Sequence, residues 1–474
     1  MTFTSTILRN IKILTVAQII ASVAGLFSSA LLARALGVDG FGVLGFGMAF
    51  LSLLGIVASL STDIYGTREI ARNPDKADSI SSPILGLRLT LSIFAYAVFI
   101  VIVLTLDRSQ TEKTVLLVQA SGIFVSIFVL DFVFQGLERM GINGLRQIFA
   151  ALMTLICVYL FVRAPEDILI AAIIPIAAGT VAVGVIWLYA RHSIGGIRLS
   201  FARDRWRQIL AVSVPLAISG IMHTIIFNTD AVMLGLMSTN QQTGLYVSAF
   251  KIVGLTMIPA GLLTAPFFPS LSAGWDDQQT RFDRSRTFAI SVLIISLPLV
   301  VFIAIYPDLI LRILFGQAYS EAETTLLILM MSMVVMHLRI IYSSPLVAWN
   351  EERYHMVATL IGAVLNVLLN FLLIPKYGII GAAFASLISH AVISVLLAYK
   401  FYAKASTIHI SVISKTVICM AVAAACIWWL SIDFGDSFVQ SVFTLIVNGS
   451  IFGCIYAGMI ALVFRPNLKQ ILKP

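Results

Sequence analysis

Residues 13–36 read ILTVAQIIASVAGLFSSALLARAL and carry one charged side chain, Arg34, in 24 positions. A helix needs roughly 20 apolar residues to cross the hydrocarbon core of a bilayer, which is about 30 Å thick. Only hydrogen-bonded helices and closed barrels satisfy their backbone groups there. The stretch lacks a small-residue cleavage site and is longer than a signal-peptide core, so we expect it to stay as a transmembrane anchor.

Thirteen further apolar stretches follow, and together they fill nearly all of the 474 residues. Hydrophobic residues make up 59% of the chain and charged residues 11%, whereas soluble domains carry about 25% charged residues. We therefore predict an all-α integral membrane protein with about 14 transmembrane helices. The predicted spans are 13–36, 42–60, 84–106, 115–134, 148–162, 169–190, 209–236, 244–271, 287–306, 324–349, 356–374, 379–399, 416–432 and 438–464.

The distribution of basic residues predicts the orientation, because short basic loops resist translocation. With the N-terminus inside, the cytoplasmic connections hold 22 Lys and Arg residues and the outer connections hold 6. This places both termini in the cytoplasm of a multi-pass protein of the cell inner membrane. The net charge of +8 is then explained by topology and by attraction to anionic headgroups, so nucleic acid is not an expected partner.

The chain also shows an internal repeat. A basic cytoplasmic linker, 191–208, separates a six-helix lobe at 1–190 from a second six-helix lobe at 209–405. Six is an even number, so both lobes keep one orientation and form a parallel pseudo-twofold repeat about the membrane normal. Residues 406–474 hold two additional helices and a short basic tail. A cavity between the two lobes is the expected consequence.

Several kinds of chemistry lack sequence support. The four cysteines lie inside predicted spans without CxxC or Cys/His spacing, so no disulfide framework, metal site or zinc site is indicated. Residues 40–45 fit GxGxxG but follow a membrane helix instead of a strand, which argues against a dinucleotide cofactor. There is no Walker A loop, HExxH or nucleophile elbow. We expect no catalytic residues and no cofactor.

Ionisable residues inside spans are the candidates for function, because they are costly at membrane depth and usually face a cavity or a partner. Each also has a structural interpretation. Arg34 and Arg88 could extend to the headgroups, and Asp131 could pair with a loop arginine such as Arg139. The full set is Arg34, Arg88, Asp131, His223, Asp230, Lys251, His337, Arg339 and His390.

Asp230 and Lys251 lie on adjacent antiparallel spans, so they form either a mutual ion pair or a ligand contact. The histidines could be hydrogen-bonded interior groups. Arg339 lies near the middle of its span, too deep to reach the headgroups, and we expect it to bind substrate. Asn366 and Asn370, one turn apart, could bind sugar hydroxyls or bond across helices.

Motifs along the chain resemble a known family. They are ARALG (33–37) with GFG (40–42), DAVMLG (230–235) with GLYVSAFK (244–251), FPSL (268–271), LFGQAY (314–319) and GIIGAAFA (378–385). The chain resembles the polysaccharide-transporter branch of the multidrug/oligosaccharidyl-lipid/polysaccharide exporter superfamily. The resemblance implies a flippase for undecaprenyl-diphosphate-linked oligosaccharides in O-antigen, lipopolysaccharide, capsule or exopolysaccharide assembly. It also implies membrane lipid, a polysaccharide polymerase and other assembly-pathway membrane proteins as partners.

The physical argument for this activity is independent of the resemblance. A diphosphate bearing sugars cannot cross hydrocarbon unaided, because unpaired polar groups cost several kcal/mol each there. A carrier must supply a hydrated, cationic interior and work by alternating access. We expect the substrate to contact Arg339, Arg34, Lys251, Arg88, Asp230, His337, Asn366 and Asn370.

Two other functions compete. A multidrug or other small-solute ion-coupled exporter would share the architecture but should have an acidic, apolar-walled cavity. The predicted spans of this chain instead contain Arg34, Arg88, Lys251 and Arg339, which favours an anionic substrate. A membrane glycosyltransferase, polymerase or ligase would need a large outer loop, and the longest predicted outer connection is only 307–323.

Overall fold

The structure is a computed structural model that describes residues 3–273, 277–435 and 437–465. Its described side chains begin at Ile13 and omit Ser219 and His223, so the prediction for His223 lies outside them. All regular elements in these ranges are helical. They are α1 (Phe3–Ser59), α2 (Thr62–Arg72), α3 (Ala77–Thr105), α4 (Gln110–Ile127), α5 (Asp131–Gly136), α6 (Gly141–Phe161), α7 (Ile168–Ser193), α8 (Arg203–Met237), α9 (Asn240–Ser272), α10 (Gln278–Ile305), α11 (Pro307–Phe315), α12 (Glu323–Ala348), α13 (Glu352–Ala405), α14 (Ile410–Leu430) and α15 (Phe438–Val463).

Eleven spans in the described part of the chain are long and apolar enough to cross a bilayer. The bent helix α8, whose halves Arg203–Met222 and Thr224–Met237 meet at 52°, raises this number to twelve. The prediction of an all-α, multi-pass membrane protein is therefore confirmed. The chain divides into two compact units, Met1–Val247 and Ser248–Pro474.

Two long helices are interrupted by glycine. In α1 the backbone leaves the helical region at Gly37 (φ 71°, ψ −180°), and in α13 it does so at Gly378 (φ 54°, ψ −130°). Positive φ is cheap for glycine, which has no Cβ. Each interruption falls between two predicted spans, so the glycines separate apolar stretches that would otherwise form one helix.

Within the first unit, two predicted boundaries need correction. The stretch 115–134 is not one helix, because α4 ends at Ile127 and α5 begins at Asp131. The predicted connection after residue 60 contains α2, which starts after Leu60 and Ser61, both at positive φ (40° and 54°). Helix α2 is amphipathic and only 11 residues long. A search for apolar stretches long enough to cross a bilayer therefore could not detect it.

The first unit has a core where α2, α3, α5 and α7 meet, built on side chains such as Ile70, Ile84, Phe132 and Ile186. At the α1 and α9 crossing, backbones touch. A Cβ at Gly42 would lie 1.9 Å from the carbonyl oxygen of Asn240, and one at Gly244 would lie 2.1 Å from that of Val38. Only glycine allows this approach.

The second unit is built around α10, α12 and α13. Phe288 and Leu293 of α10, Leu326 and Leu346 of α12 and Leu397 of α13 are all fully buried. The Ser394 Oγ atom of α13 donates to the Val335 carbonyl of α12 (3.1 Å). This packing holds the polar residues of α12 inside the unit.

Candidate functional site

Arg88 of α3 is a buried cation in the first unit. Its side chain is 4% exposed, its Nη2 atom donates to Oδ1 of Asp63 at 2.6 Å, and its Nε atom donates to Oγ1 of Thr62 at 2.8 Å. The guanidinium carbon lies 5.0 Å from the centre of the Phe132 ring, within cation–π range. The interpretation that Arg88 extends to the headgroups is therefore wrong.

Arg88 borders a cavity of about 220 Å³. Ser92, one turn further along α3, also lines it, and its buried Oγ atom has no hydrogen-bond partner among the described residues. Ser126 lines the opposite side, and its hydroxyl donates to the Ile123 carbonyl (2.6 Å). Buried polar atoms of this kind normally bond to water or a ligand, so the cavity suits a polar guest.

Asp131 has a different partner from the one suggested by the sequence. Its two carboxylate oxygens accept from Nε and Nη2 of Arg146 at 2.8 and 2.6 Å. The partner is Arg146, which lies with Arg139 in the predicted connection 135–147, so the pairing with a loop arginine is confirmed, although the residue is not Arg139. A planar guanidinium fork matches a carboxylate in this two-bond geometry. The pair joins α5 to α6 and has a structural role.

Arg34 and Asp230 are the other first-unit residues in the expected set. Arg34 is exposed on α1, which suits either cavity lining or contact with headgroups. Asp230 is 2% exposed and accepts from the Tyr246 hydroxyl at 2.5 Å. Tyr246 is a partner that the charge pattern could not reveal. Lys251 lies in the second unit, so its pairing with Asp230 stays a prediction.

Arg108 was missed by sequence reasoning, which counted it as an ordinary outer-loop cation. Its Nη1 atom donates to Oε2 of Glu112 (2.9 Å) and Oδ1 of Asn240 (2.6 Å), and Nη2 donates to the Gly235 carbonyl. The guanidinium also lies 4.8 Å from the Phe46 ring centre. Arg108 thus connects the α3–α4 turn to the α8–α9 turn. The residues of this site are far apart in the sequence, so no short motif could have predicted it.

Arg339 of α12 is a buried cation of the second unit. The residue is 8% exposed, and its Nη1 atom is buried without a hydrogen-bond partner among the described residues. Ser332 and Thr325, seven and fourteen positions earlier, also have buried hydroxyls without a partner in the described chain. Residues spaced by seven share one helix face. The guanidinium therefore ends a polar stripe along α12.

His337, Asn366 and Asn370 of the second unit have local contacts. The His337 Nδ1 atom lies 2.6 Å from the Met333 carbonyl oxygen and Nε2 lies 3.2 Å from that of Thr256. A neutral imidazole can donate from only one of these nitrogens. Asn370 Nδ2 donates to Asn366 Oδ1 at 3.2 Å, and both residues are fully buried. These contacts agree with the packing interpretation of all three side chains.

The described residues therefore form several separate polar groups. The structure places Arg34, Arg88 and Asp230 in the first unit, and Lys251, His337, Arg339, Asn366 and Asn370 in the second. Within the described ranges, no group of three or more His, Cys, Asp or Glu residues could hold a metal ion. The chemistry available is anion binding by guanidinium groups and hydrogen bonding by hydroxyls.

Comparison with known proteins identifies the family of the chain. The family model described as "Polysaccharide biosynthesis protein" matches residues 7–275. A probable low-salt glycan biosynthesis flippase, Agl15 of Haloferax volcanii, is 31% identical over 174 residues, which is 36% of this chain and 36% of that relative's length. A putative O-antigen transporter of Shigella flexneri is 24% identical over 370 residues, covering 74% of this chain and 87% of that protein.

Among solved structures, the lipid II flippase MurJ in an inward closed conformation aligns with a TM-score of 0.75 at 16% identity. The alignment covers 96% of this chain and 99% of that one. This likeness shows that the chain has the same fold. The relatives are transporters and flippases, not catalysts, which confirms the prediction that the chain is not an enzyme.

Proposed function

We propose that this chain, which belongs to the polysaccharide biosynthesis protein family and to the polysaccharide-transporter branch of its superfamily, flips lipid-linked glycans across the membrane. Its substrate is an undecaprenyl-diphosphate-linked oligosaccharide repeat unit destined for O-antigen, capsule or exopolysaccharide. Transport proceeds by alternating access through a cationic interior. The family match and the named flippase relatives support the lipid-linked substrate.

We also propose 14 transmembrane helices, arranged as six-helix lobes at 1–190 and 209–405, the linker 191–208 and an added pair at 406–474. The glycine interruptions support this number. If α1 is counted as two spans at Gly37 and α13 as two at Gly378, the twelve spans counted above become fourteen.

The observation that carries the substrate assignment is the buried Nη1 atom of Arg339, which has no hydrogen-bond partner among the described residues. An arginine without a partner in a low-dielectric interior is expensive, so such a group normally meets an anion. Its planar fork can bind phosphate oxygens through two hydrogen bonds. A diphosphate provides the matching oxygens. We propose that Arg339 binds the diphosphate or an acidic sugar.

The other expected contacts, Arg34, Lys251, Arg88, Asp230, His337, Asn366 and Asn370, are proposed as lining residues. Arg88 and Asp230 already have protein partners, Asp63 and Tyr246 respectively. We further propose an inner-membrane location with both termini in the cytoplasm. A polysaccharide polymerase and other assembly-pathway membrane proteins are the proposed partners.

Polymer display at the cell surface tests the role of Arg339, with membrane abundance measured in parallel. Arg339→Ala should abolish display at normal abundance, and Arg339→Lys should restore it partly, because lysine keeps the charge without the fork. The matched control is Arg353→Ala, which removes an exposed arginine from the first turn of α13. Full display in Arg339→Ala cells would reject the assignment. Normal display together with lost drug resistance would instead favour the small-solute exporter.

A further inference from the structure

We propose that the first unit binds one anionic glycerophospholipid. One acyl chain lies in an apolar groove between α4 and α7, and the phosphate group lies against a basic pocket at the carboxyl end of α7. This site is separate from the residues discussed above, and it does not depend on the proposed function.

The apolar groove has a volume of about 490 Å³ and is lined by Phe124 and Val125 of α4, by Phe128 just after α4, and by Thr180, Val183, Gly184 and Trp187 of α7. Gly184 opens the groove, because a Cβ placed there would meet no atom within 4 Å. The Thr180 hydroxyl is turned back to the Ile176 carbonyl (2.8 Å). The groove therefore presents methyl, methylene and aromatic surface suited to a hydrocarbon chain.

The basic pocket has a volume of about 380 Å³ and adjoins the groove, since both include Gly184 and Trp187. Arg191 and Arg198 line it together with the backbone of Gly195 and Gly196. None of its described lining residues is acidic. Arg198 is held in place by its backbone, whose N–H donates to the Ser82 hydroxyl at 3.2 Å. Two arginines without an opposing carboxylate attract a phosphate.

Trp187 marks the change from the apolar groove to the basic pocket. Its indole Nε1 atom donates to the Phe128 carbonyl at 2.7 Å, and its ring packs edge-on against Phe128. The carbonyl is free because α4 has ended at Ile127. Tryptophan is typical of the boundary between hydrocarbon and headgroups. Along α7 the apolar groove therefore comes first and the basic pocket second, as the tail and the headgroup of a lipid would require.

The dimensions agree with one lipid in one leaflet. Thr180 and Trp187 are seven residues apart on α7, so the groove follows the helix for about 10 Å, and Arg191 lies about 6 Å further along. A single leaflet contributes about half of the ~30 Å hydrocarbon core. One acyl chain fits this length, and an undecaprenyl tail greatly exceeds it. A phospholipid is therefore the better match than the proposed substrate.

Native mass spectrometry of the purified full chain provides the test, with phosphatidylglycerol as the anionic probe and phosphatidylethanolamine as the zwitterionic one. We expect one tightly retained phosphatidylglycerol in the unmodified protein. In Gly184→Leu the new side chain fills the groove, and in the Arg191→Gln, Arg198→Gln double variant the pocket loses both charges. Two basic groups near an anionic headgroup correspond to roughly a 30-fold change in affinity, so the double variant should lose most of the bound lipid.

Matched controls separate the site from general lipid binding. Gly458→Leu adds a leucine at another exposed helical glycine with open space around its Cβ, and Arg353→Gln removes an exposed arginine elsewhere. Both should retain the phosphatidylglycerol. Thermal unfolding in detergent checks that every variant is folded. Equal retention in folded site variants and controls, or equal retention of the zwitterionic lipid, would overturn the proposal.

A competition experiment distinguishes the phospholipid from a polyprenyl carrier. Undecaprenyl diphosphate should fail to displace the retained phosphatidylglycerol at equal concentration, because its tail does not fit the groove. Displacement of the retained phosphatidylglycerol from the unmodified protein by undecaprenyl diphosphate would show that the site accepts the polyprenyl carrier, which would contradict the phospholipid assignment.

Discussion

The Nη2 atom of Arg88 lies 2.6 Å from Oδ1 of Asp63, and this ion pair fixes the start of α2 against α3. The arginine is buried, whereas the carboxylate is about half exposed. Thr62 and Asp63 directly follow Leu60 and Ser61, which adopt positive φ. The buried cation therefore holds a backbone bend that lacks a glycine.

Removal of this cation should destabilise the first unit. Arg88→Ala loses two hydrogen bonds and the contact with Phe132, and we expect a cost of about 2 kcal/mol because Asp63 stays hydrated. Arg88→Lys should recover part of it. Thermal unfolding in detergent measures the change. Arg72→Ala removes an exposed arginine of α2 and should have almost no effect; an equal effect of both substitutions would contradict the structural role of Arg88.

The pair between Asp131 and Arg146 should show strong coupling. Both side chains are mostly buried, at 23% and 16% exposure, and they share two hydrogen bonds. We expect Asp131→Ala and Arg146→Ala each to lower stability, and the double variant to lose less than their sum, with a coupling of about 1–3 kcal/mol. Additive losses in this cycle would mean that the pair does not exist. Arg139→Ala should be close to neutral.

The backbone crossing at Gly42 should not tolerate any side chain. A Cβ there would lie 1.9 Å from the Asn240 carbonyl oxygen and 2.9 Å from the Gly244 nitrogen. Because both contacts are with backbone, α1 and α9 would have to separate, so Gly42→Ala should cost about 3 kcal/mol or more. Gly25→Ala, on the open side of α1, should be neutral or slightly stabilising. Folded yield and thermal unfolding report the difference.

His409 should make the second unit sensitive to acid. This residue directly precedes α14 and is buried against the rings of Phe282 and Phe401. Its Nε2 atom lies 3.2 Å from the Ser285 Oγ atom, within hydrogen-bond distance. Burial, with a further contribution from the charge of Arg286, lowers the pKa of His409 from 6.5 to about 4. The folded state therefore holds a neutral imidazole, whereas the unfolded state takes up a proton near pH 6.5.

The contribution of neutral His409 to the free energy of unfolding is complete above pH 6.5 and is lost as the pH falls from 6.5 to about 4. The total effect is about 3 kcal/mol. His409→Phe keeps a ring but cannot titrate, so its thermal unfolding should depend less on pH than that of the unmodified protein across this window. Identical pH profiles of the two proteins would exclude His409 as the source.

The topology is tested with single cysteines in a background where the four native cysteines are replaced. Ser193, at the end of α7, should be protected from an impermeant thiol reagent in intact cells. For the outer side we choose Gln110, the exposed first residue of α4. Ser437 lies in another predicted outer connection, but its hydroxyl caps α15 by accepting from the Gln440 N–H at 3.3 Å, so replacing it would disturb the helix. Labelling at Ser193 with protection at Gln110 would reverse the predicted orientation.

Several side-chain partners could not have been predicted from the chain alone. For Asp131 the sequence offered a loop arginine such as Arg139 as a partner, and the helix break after Ile127 and the approach of α6 make that partner Arg146. Arg88 was a candidate for the headgroups until α2 supplied Thr62 and Asp63. The short helices concerned, α5 for Asp131 and α2 for Arg88, have no apolar stretch long enough to be predicted as a membrane span.

The sequence by itself determined the fold class, the membrane location and the family. Apolar runs of bilayer length can be satisfied only as membrane helices, and motif order along the chain indicated the transporter branch. Only the tertiary structure decided which ionisable groups are paired, because a partner is set by distance in space. Arg108, Tyr246 and Arg146 became partners through helix crossings. Arg339, which sequence depth alone had singled out, has a buried Nη1 atom without a hydrogen-bond partner among the described residues.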